Sequence, residues 1–329
     1  MTRKTLFTLF RIFVSLFFLG LLFWLMRDKI DALLEAIAST NVFLFSVCLG
    51  IQILVIVAAA LRFKIILSAQ KTTISAANSI ALSFIGLFFN NFLPTALGGD
   101  LVRGYYASKD TGRTPEIYSA ILMDRFCGFV PLVAMALVGI AITFRTIQNQ
   151  SIIFAVTILC LLFVAAALVA FHPAGDIIST MLTRCMRSEG LAVRLGRFFY
   201  AIRDYRHNKA ALGKSIVLSL GIHLIIVGCV FLLIKSIAAD IGILHLFWSM
   251  PLIFTLSMLP SLNGLGIRES AFVYFLKSAI GPEKALAIAL LWLALFYITS
   301  IIGGVVYLLC SHQFNITINQ LKNEEVLDA

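Results

Sequence analysis

Long apolar runs are the feature that most limits what this chain can fold into. A helix that crosses a bilayer needs about 17–25 consecutive, mostly apolar residues. Six runs meet that length: Leu6–Met26, Val42–Leu61, Ile117–Phe144, Ile152–Phe171, Ser215–Ile234 and Ala285–Leu309. Hydrophobic residues make up 60% of the chain and charged residues only 13%, well outside the composition of soluble domains. The sequence therefore predicts an all-α, polytopic membrane protein with one integral membrane domain over residues 1–329.

Two further apolar segments, Ala77–Tyr106 and Leu244–Ala279, are interrupted by proline and glycine. Pro94 precedes a Gly-Gly pair in the first, and Pro260 precedes two glycines in the second. Non-helical backbone is tolerated at membrane depth only where protein buries it or where it lines a wet cavity. We therefore expect two broken re-entrant hairpins rather than two more simple spans.

The halves of the chain have the same order of segments, namely span, span, broken segment and span. The first half covers residues 1–145 and the second covers 151–312, and they begin on opposite sides of the membrane. Their broken middles are similar in sequence, Leu93-Pro94-Thr95 against Leu259-Pro260-Ser261. This pattern predicts inverted repeats, in which paired interrupted segments mark the binding site of a transporter.

The net charge of +10 is concentrated between the apolar runs. No aromatic–basic motif typical of nucleic-acid recognition accompanies it, so the positive-inside rule and anionic lipid explain it better. If both hairpins return to the side they entered from, the cations near Arg62 and Lys109 lie on the same side of the membrane as the arginine-rich segment 173–214. Arg145 and Asp240 then lie on the other side. We expect an inner-membrane protein with cytoplasmic N- and C-termini and an uncleaved first span.

The segment 173–214 combines regularly spaced apolar residues with many arginines, which predicts a basic amphipathic helix. A helix lying on the cytoplasmic membrane surface is the favoured interpretation, and a platform that gathers substrate is the alternative. The stretch Asp28–Thr40 predicts a second, weaker interfacial helix.

Polar residues at membrane depth are the candidate binding residues, because a charge at mid-bilayer costs about 2.5–3.5 kcal/mol and such groups usually face a bundle interior or a cavity. The predicted substrate-binding residues are Asn90, Asn91, Asp100, Arg103, Asp124, Arg125, Asn263, Arg268 and Glu269.

A structural role is the alternative for Asp124 and Arg125. Adjacent residues on one helix do not face each other, so each would need its own partner. Arg125 with Asp100, and Asp124 with Arg103, are the candidate pairs.

At the second break, Glu269 would be favoured near a helix N-terminus by the helix dipole. Arg268 would then remain as a positive charge beside freed backbone N–H groups, an arrangement that attracts phosphate. His223 and His245 are expected to be core or interfacial residues.

Motifs for catalysis are missing from the sequence. It contains no Gly-x-Ser-x-Gly, no P-loop and no His-Glu-x-x-His. Its six cysteines form no Cys-x-x-Cys or Cys/His cluster, so neither a zinc site nor a disulfide framework is indicated. We expect no metal, no cofactor and no enzymatic activity, although an acid–base role for Asp124 or Glu269 stays open.

Three motifs resemble one known family. Leu93–Arg103, then Asp124-Arg125, then Pro260–Glu269 are similar to the lysylphosphatidylglycerol synthase transmembrane-region family, also called flippase-like integral membrane proteins. In its bifunctional members a soluble domain makes lysyl-phosphatidylglycerol and the membrane part moves it outward. This chain ends at Ala329, soon after its last apolar run, so the resemblance implies a stand-alone member without synthase activity.

The leading hypothesis is a lipid translocase for an anionic phospholipid or a polyprenyl-phosphate-linked lipid, with a polar cleft between the two hairpins. Membrane lipids would be its partners, while a lipid-synthesis enzyme as partner and homo-oligomerisation stay open. The alternative is a membrane-embedded enzyme or an accessory subunit of a lipid glycosyltransferase. Transport of a soluble substrate is a third hypothesis.

Overall fold

A computed structural model describes residues 27–92, 98–143, 204–257 and 264–310, together with residues 16, 17, 20, 21, 24, 154, 157, 158, 160–163, 259 and 261. Every regular element in these residues is a helix, as the composition predicts. The predicted spans Leu6–Met26 and Ile152–Phe171 lie largely outside the described residues, as does most of the predicted amphipathic segment 173–214.

The helices follow one another in the order that the apolar pattern predicts. They are α1 (Ile30–Ala38), α2 (Val42–Ala69), α3 (Ala76–Phe92), α4 (Gly98–Thr111), α5 (Thr114–Thr143), α6 (Lys209–Ser236), α7 (Ile243–Leu256), α8 (Ile267–Ile280) and α9 (Pro282–Cys310). Helix α1 forms within the predicted stretch Asp28–Thr40, and it packs Leu33 and Ala36 into the core; its interfacial position stays a prediction.

Four of the described helices are long and apolar enough to cross a membrane: Val42–Ala69, Thr114–Ile142, Lys209–Ser236 and Pro282–Cys310. Each matches a predicted span, and the chain is a polytopic membrane protein. All four extend beyond their apolar runs into charged sequence, and α2 and α6 extend furthest, because isolated charged residues do not stop a helix. Helix α2 continues past Leu61 to Ala69, and α6 begins at Lys209 rather than at Ser215.

Helices α2 and α6, the second spans of the two predicted repeats, run antiparallel. The backbone N–H of Asn41 donates to Ser236 O at 2.7 Å at one end of the pair, and the side chain of Asn208 donates to Ala69 O at 2.9 Å at the other. Between them, the Cys48 thiol donates to Cys229 O at 3.5 Å and the Cys229 thiol donates to Cys48 O at 3.6 Å. Opposite directions of corresponding helices are what inverted repeats require.

Both broken segments form hairpins that return to the end of the bundle from which they enter. Helix α3 starts just after Lys71, and the guanidinium of Arg113, just after α4, donates to Lys71 O at 3.2 Å. At the opposite end, His245 near the start of α7 bonds Phe275 O near the end of α8 at 2.9 Å. The predicted re-entrant arrangement of α3–α4 and α7–α8 is present.

Glycines let each hairpin approach the last span of the other half. A Cβ on Gly303 of α9 would lie 2.1 Å from Phe84 O of α3, a distance that no real contact adopts. A Cβ on Gly139 of α5 would lie 3.1 Å from Trp248 O of α7. In a membrane, helices associate through such close packing of small residues rather than through the hydrophobic effect.

The geometry makes a prediction about topology. Lys109 near the end of α4 and Asp240 in the α6–α7 turn lie at opposite ends of the bundle. Lys109→Cys and Asp240→Cys should therefore react with a membrane-impermeant thiol reagent from opposite sides of sealed vesicles. Labelling of both from one side would contradict the re-entrant hairpins.

A second prediction concerns the glycine contacts. Gly303→Ala should lower the thermal unfolding midpoint of the purified protein, because the added methyl group overlaps the backbone of α3. Gly221→Ala in α6 is the matched control, since nothing lies within 4 Å of its Cβ position and alanine favours a helix by about 1 kcal/mol. Equal midpoints for the two variants would show that the α3–α9 contact is not close.

Candidate functional site

Arg103 is the centre of the polar interior of the first half. Helix α4 carries it inward, where it is 8% exposed and its guanidinium lies 4.0 Å from the ring centroid of Phe63. Its Nη2 lies 3.3 Å from Asp124 Oδ2 on α5 and 3.8 Å from Asp100 Oδ1 one turn earlier on α4. One arginine therefore bridges two aspartates on two helices.

Each of those aspartates has a second arginine. Arg125 forms an ion pair with Asp100, so both pairs expected from the sequence, Arg125 with Asp100 and Asp124 with Arg103, are present. The other oxygen of Asp124 accepts from Arg62 Nε of α2 at 2.8 Å. We call these five residues, Arg62, Asp100, Arg103, Asp124 and Arg125, the arginine–aspartate cluster.

Arg62 is a member of the cluster that the sequence did not identify. Interpreted as a cation after a span ending at Leu61, it was expected at the membrane boundary, but α2 continues to Ala69 and holds it inside the bundle. Its Nη1 donates to Ser219 Oγ of α6 at 2.8 Å. A Cβ on Gly128 would lie 3.1 Å from the same nitrogen, so glycine leaves room for the guanidinium. The apolar residues that follow Arg62 were the available signal that the helix continues.

The cluster has one more cation than it needs. Its three guanidinium groups and two carboxylates leave one net positive charge. Asp124 lies closer to Arg62 than to Arg103, 2.8 Å against 3.3 Å, and Asp100 lies closer to Arg125 than to Arg103. Arg103 is therefore the surplus cation, and its Nε has no hydrogen-bond partner among the described residues.

At the second break the charge of Arg268 is neutralised, because Arg268 pairs with Glu269. Gly264 and Gly266 adopt left-handed φ angles of 80° and 82°, and α8 begins directly after them. Glu269 accepts from the Gly266 N–H at 2.6 Å and from Arg268 Nη2 at 2.9 Å. Side chains in the first turn of a helix lean toward its N-terminus, so these neighbours meet above the Gly266 cap. The expected phosphate site at Arg268 is thus occupied by Glu269.

A cavity of about 280 Å³ lies between the two halves and next to Arg103. Its polar wall comes from the first half and consists of Gln52, Ser83, Asn90, Asp100 and Arg103. The facing wall is apolar and comes mainly from the second half, with Ile226, Phe254, Trp292 and Phe296. The cavity is therefore built by both halves, but its charge comes from one.

The structure brings together only part of the predicted site. Asn90, Asp100 and Arg103 line the cavity, and Asn90 Oδ1 accepts from the Gly99 N–H at 3.0 Å. Asn91 is not among the lining residues, and Asn263 lies outside the described residues.

The remaining predicted residues stand behind the cavity walls. Asp124 and Arg125 hold the first-half charges in place, while Arg268 lies behind Phe296, with its guanidinium 5.1 Å from the ring centroid. Glu269 is fully buried beside Arg268.

At the first break neither glycine adopts a left-handed φ angle, and Gly99 serves packing. Helix α4 already begins at Gly98, and a Cβ on Gly99 would lie 1.9 Å from Gly86 O of α3. The two arms therefore touch through backbone, which brings Asn90 and Asp100 to the same cavity wall.

The two histidines occupy packing positions, as expected. His223 Nε2 bonds Gly128 O at 2.9 Å, and His245 Nε2 bonds Phe275 O at the same distance. Within the described part of the chain, no group of three or more His, Cys, Asp or Glu side chains is placed to hold a metal ion.

These contacts predict different stabilities for two arginine variants. Arg268→Ala should destabilise the protein by roughly 3–5 kcal/mol, because it leaves Glu269 buried without its cation. Arg103→Ala should have a much smaller effect, since Asp100 and Asp124 each keep another arginine. Thermal unfolding of both proteins in the same detergent measures the difference.

The double variant with Arg268→Ala and Glu269→Gln is the control, and it should regain part of the lost stability. If Arg103→Ala is as unstable as Arg268→Ala and neutralising an aspartate repairs it, Arg103 is a structural residue rather than a surplus cation.

A family model described as "Lysylphosphatidylglycerol synthase TM region" matches residues 9–304, which is most of the chain. No curated protein and no solved structure matches the chain.

Proposed function

Since this chain belongs to the family of the lysylphosphatidylglycerol synthase TM region, we propose that it is a translocase for lipids with an anionic head group, bound in the cavity between its halves. Family membership supports a membrane protein that handles lipid. The head-group class and the role of the cavity are our proposal. The observation that carries it is Arg103, a buried surplus cation on the wall of this cavity.

Charge balance is the physical reason. An uncompensated cation in a low-dielectric interior is costly, and a phosphate with its negative charge would offset it. Arginine suits this role because its planar guanidinium grips two phosphate oxygens at once. A head group in the cavity would also leave bulk water without losing all of its polar contacts, which lowers the barrier to crossing the hydrocarbon.

The cluster also has a partly exposed edge. The Arg125 side chain is 32% exposed, and Leu122, three residues earlier on the same face of α5, is exposed as well. A head group could reach Arg125 first and then Arg103, because Asp100 joins the two arginines. We propose this α4–α5 face as the entrance from the membrane.

The proposal includes an inner-membrane location, cytoplasmic termini and no chemical change of the lipid. The sequence offers no nucleotide-binding motif, so movement would be a passive exchange or driven by an ion gradient. The rival hypothesis is a membrane-embedded enzyme. The two are distinguished by whether the lipid recovered from the transport assay is chemically changed.

The test uses purified protein in liposomes that contain a fluorescent anionic lipid in one leaflet. Exchange between leaflets should proceed without nucleotide, and the lipid should be recovered unchanged. Arg103→Ala should slow exchange roughly tenfold or more, because charge-assisted hydrogen bonds contribute about 1.5–3 kcal/mol. Arg103→Lys should restore only part of the rate, since an ammonium lacks the planar fork.

Arg113→Ala is the matched control, because this exposed arginine lies in the α4–α5 turn and bonds the backbone of Lys71. Its exchange rate should equal that of the unmodified protein. Exchange that is unaffected by Arg103→Ala would contradict the cavity site. A covalently altered lipid without exchange would favour the enzyme.

A further inference from the structure

The polar groups of the cavity differ in whether the protein already uses them. Asp100 supplies the only carboxylate among the lining residues, and it is bonded to Arg125 and close to Arg103. The hydroxyl of Ser83 donates to Ser79 O at 2.9 Å. The charge of Asp100 is therefore neutralised within the protein, and the Ser83 hydroxyl proton is already donated to the backbone.

Two side-chain amide groups on the cavity wall remain available for hydrogen bonds to a ligand. Gln52 is buried on the cavity wall and forms no hydrogen bond with any described residue. Asn90 uses its Oδ1 to accept from Gly99, which leaves its NH₂ group without a partner in the described part of the chain. Neutral amides of this kind bind hydroxyl and ether oxygens, and an amide carbonyl also accepts from hydroxyls.

The aromatic wall offers an ammonium group little compensation for the positive charge that lies next to it. Aromatic faces do attract cations, but Phe296 already has the Arg268 guanidinium 5.1 Å from its ring centroid. Phe63, which is not among the lining residues, has the guanidinium of Arg103 itself 4.0 Å from its ring centroid. A head-group cation would therefore approach the net positive charge of the arginine–aspartate cluster, with no unpaired carboxylate among the lining residues to compensate.

We infer that the cavity selects lipids whose phosphate carries an uncharged polyol and rejects those whose phosphate carries an ammonium group. This rests on the proposed function and makes it specific: Arg103 binds the phosphate, and Gln52 and Asn90 bind the hydroxyl groups. Trp292 and Phe254 give the polyol an aromatic surface on the opposite wall. A glycerol head group and a sugar head group share this chemistry, whereas an ethanolamine or a lysyl head group does not.

Trp292 provides a direct readout of binding, separate from transport. It lines the cavity, is 1% exposed, and its Nε1 has no hydrogen-bond partner among the described residues. The chain has three tryptophans, so Trp24→Phe combined with Trp248→Phe leaves Trp292 as the single emitter. A ligand that enters the cavity should change its emission in a saturable way.

The experiment titrates this single-tryptophan protein, in detergent, with short-chain lipids. We expect phosphatidylglycerol and phosphatidylinositol to bind at least tenfold more tightly than phosphatidylethanolamine and lysyl-phosphatidylglycerol. Thermal stabilisation of the unmodified protein by the same lipids provides a second measurement, because a ligand that binds only the folded state raises the unfolding midpoint. The ratio of the two polyol lipids distinguishes a glycerol site from a sugar site.

Gln52→Leu separates recognition of the polyol from recognition of the phosphate. It should weaken binding of the two polyol lipids about tenfold and leave binding of phosphatidic acid, which has the phosphate alone, unchanged. Arg103→Gln should weaken all three. Equal or tighter binding of the ethanolamine or lysyl lipid, or equal loss of phosphatidic acid and polyol lipids with Gln52→Leu, would overturn the inference.

Leaflet exchange by the same protein keeps this inference distinct from the proposed function. Selective binding without exchange would contradict the translocase and leave the head-group assignment standing. Exchange that does not distinguish polyol from ammonium lipids, with no selective binding, would contradict the assignment and leave the translocase standing.

Discussion

The arginine–aspartate cluster is the constraint on which the rest of the interior depends. Two carboxylates inside a membrane bundle must be neutralised, and they draw arginines from three helices, α2, α4 and α5. Because Arg125 and Arg62 already neutralise Asp100 and Asp124, the positive charge of Arg103 is in excess within the cluster. A cavity lies next to that arginine, so the charges that hold these helices together also shape the proposed binding site.

The two halves are alike in fold and different in chemistry. Each has a re-entrant hairpin whose first arm packs against a glycine in the last span of the other half. The hairpin of the first half brings charged and amide groups to the cavity, whereas the second half contributes mainly aromatic rings. The charged residues of the second break, Arg268 and Glu269, pair with each other behind those rings. The cavity therefore has one polar wall and one apolar wall, as an amphipathic ligand such as a lipid requires.

Several features of the site could be predicted from single residues. The pairing of Asp124 with Arg103 and of Arg125 with Asp100 was expected because Asp124 and Arg125, adjacent inside one helix, point in different directions and need separate partners. Other features could not. Arg62 was missed because its helix continues beyond the apolar run. Arg268 was expected to remain without a carboxylate partner, because nothing in the sequence shows that Glu269 bends back over the Gly266 cap.

The sequence by itself determined the membrane environment, the helical class, the two breaks and the identity of the charges that must be buried. These follow from local properties: hydropathy over a span, the missing N–H of proline, and the cost of a charge in hydrocarbon. Only the tertiary structure decided which arginine is in excess and which residues face the cavity. That outcome depends on the register between helices far apart in the chain, set by contacts such as Gly99 against Gly86 and Arg62 against Ser219, which no local pattern encodes.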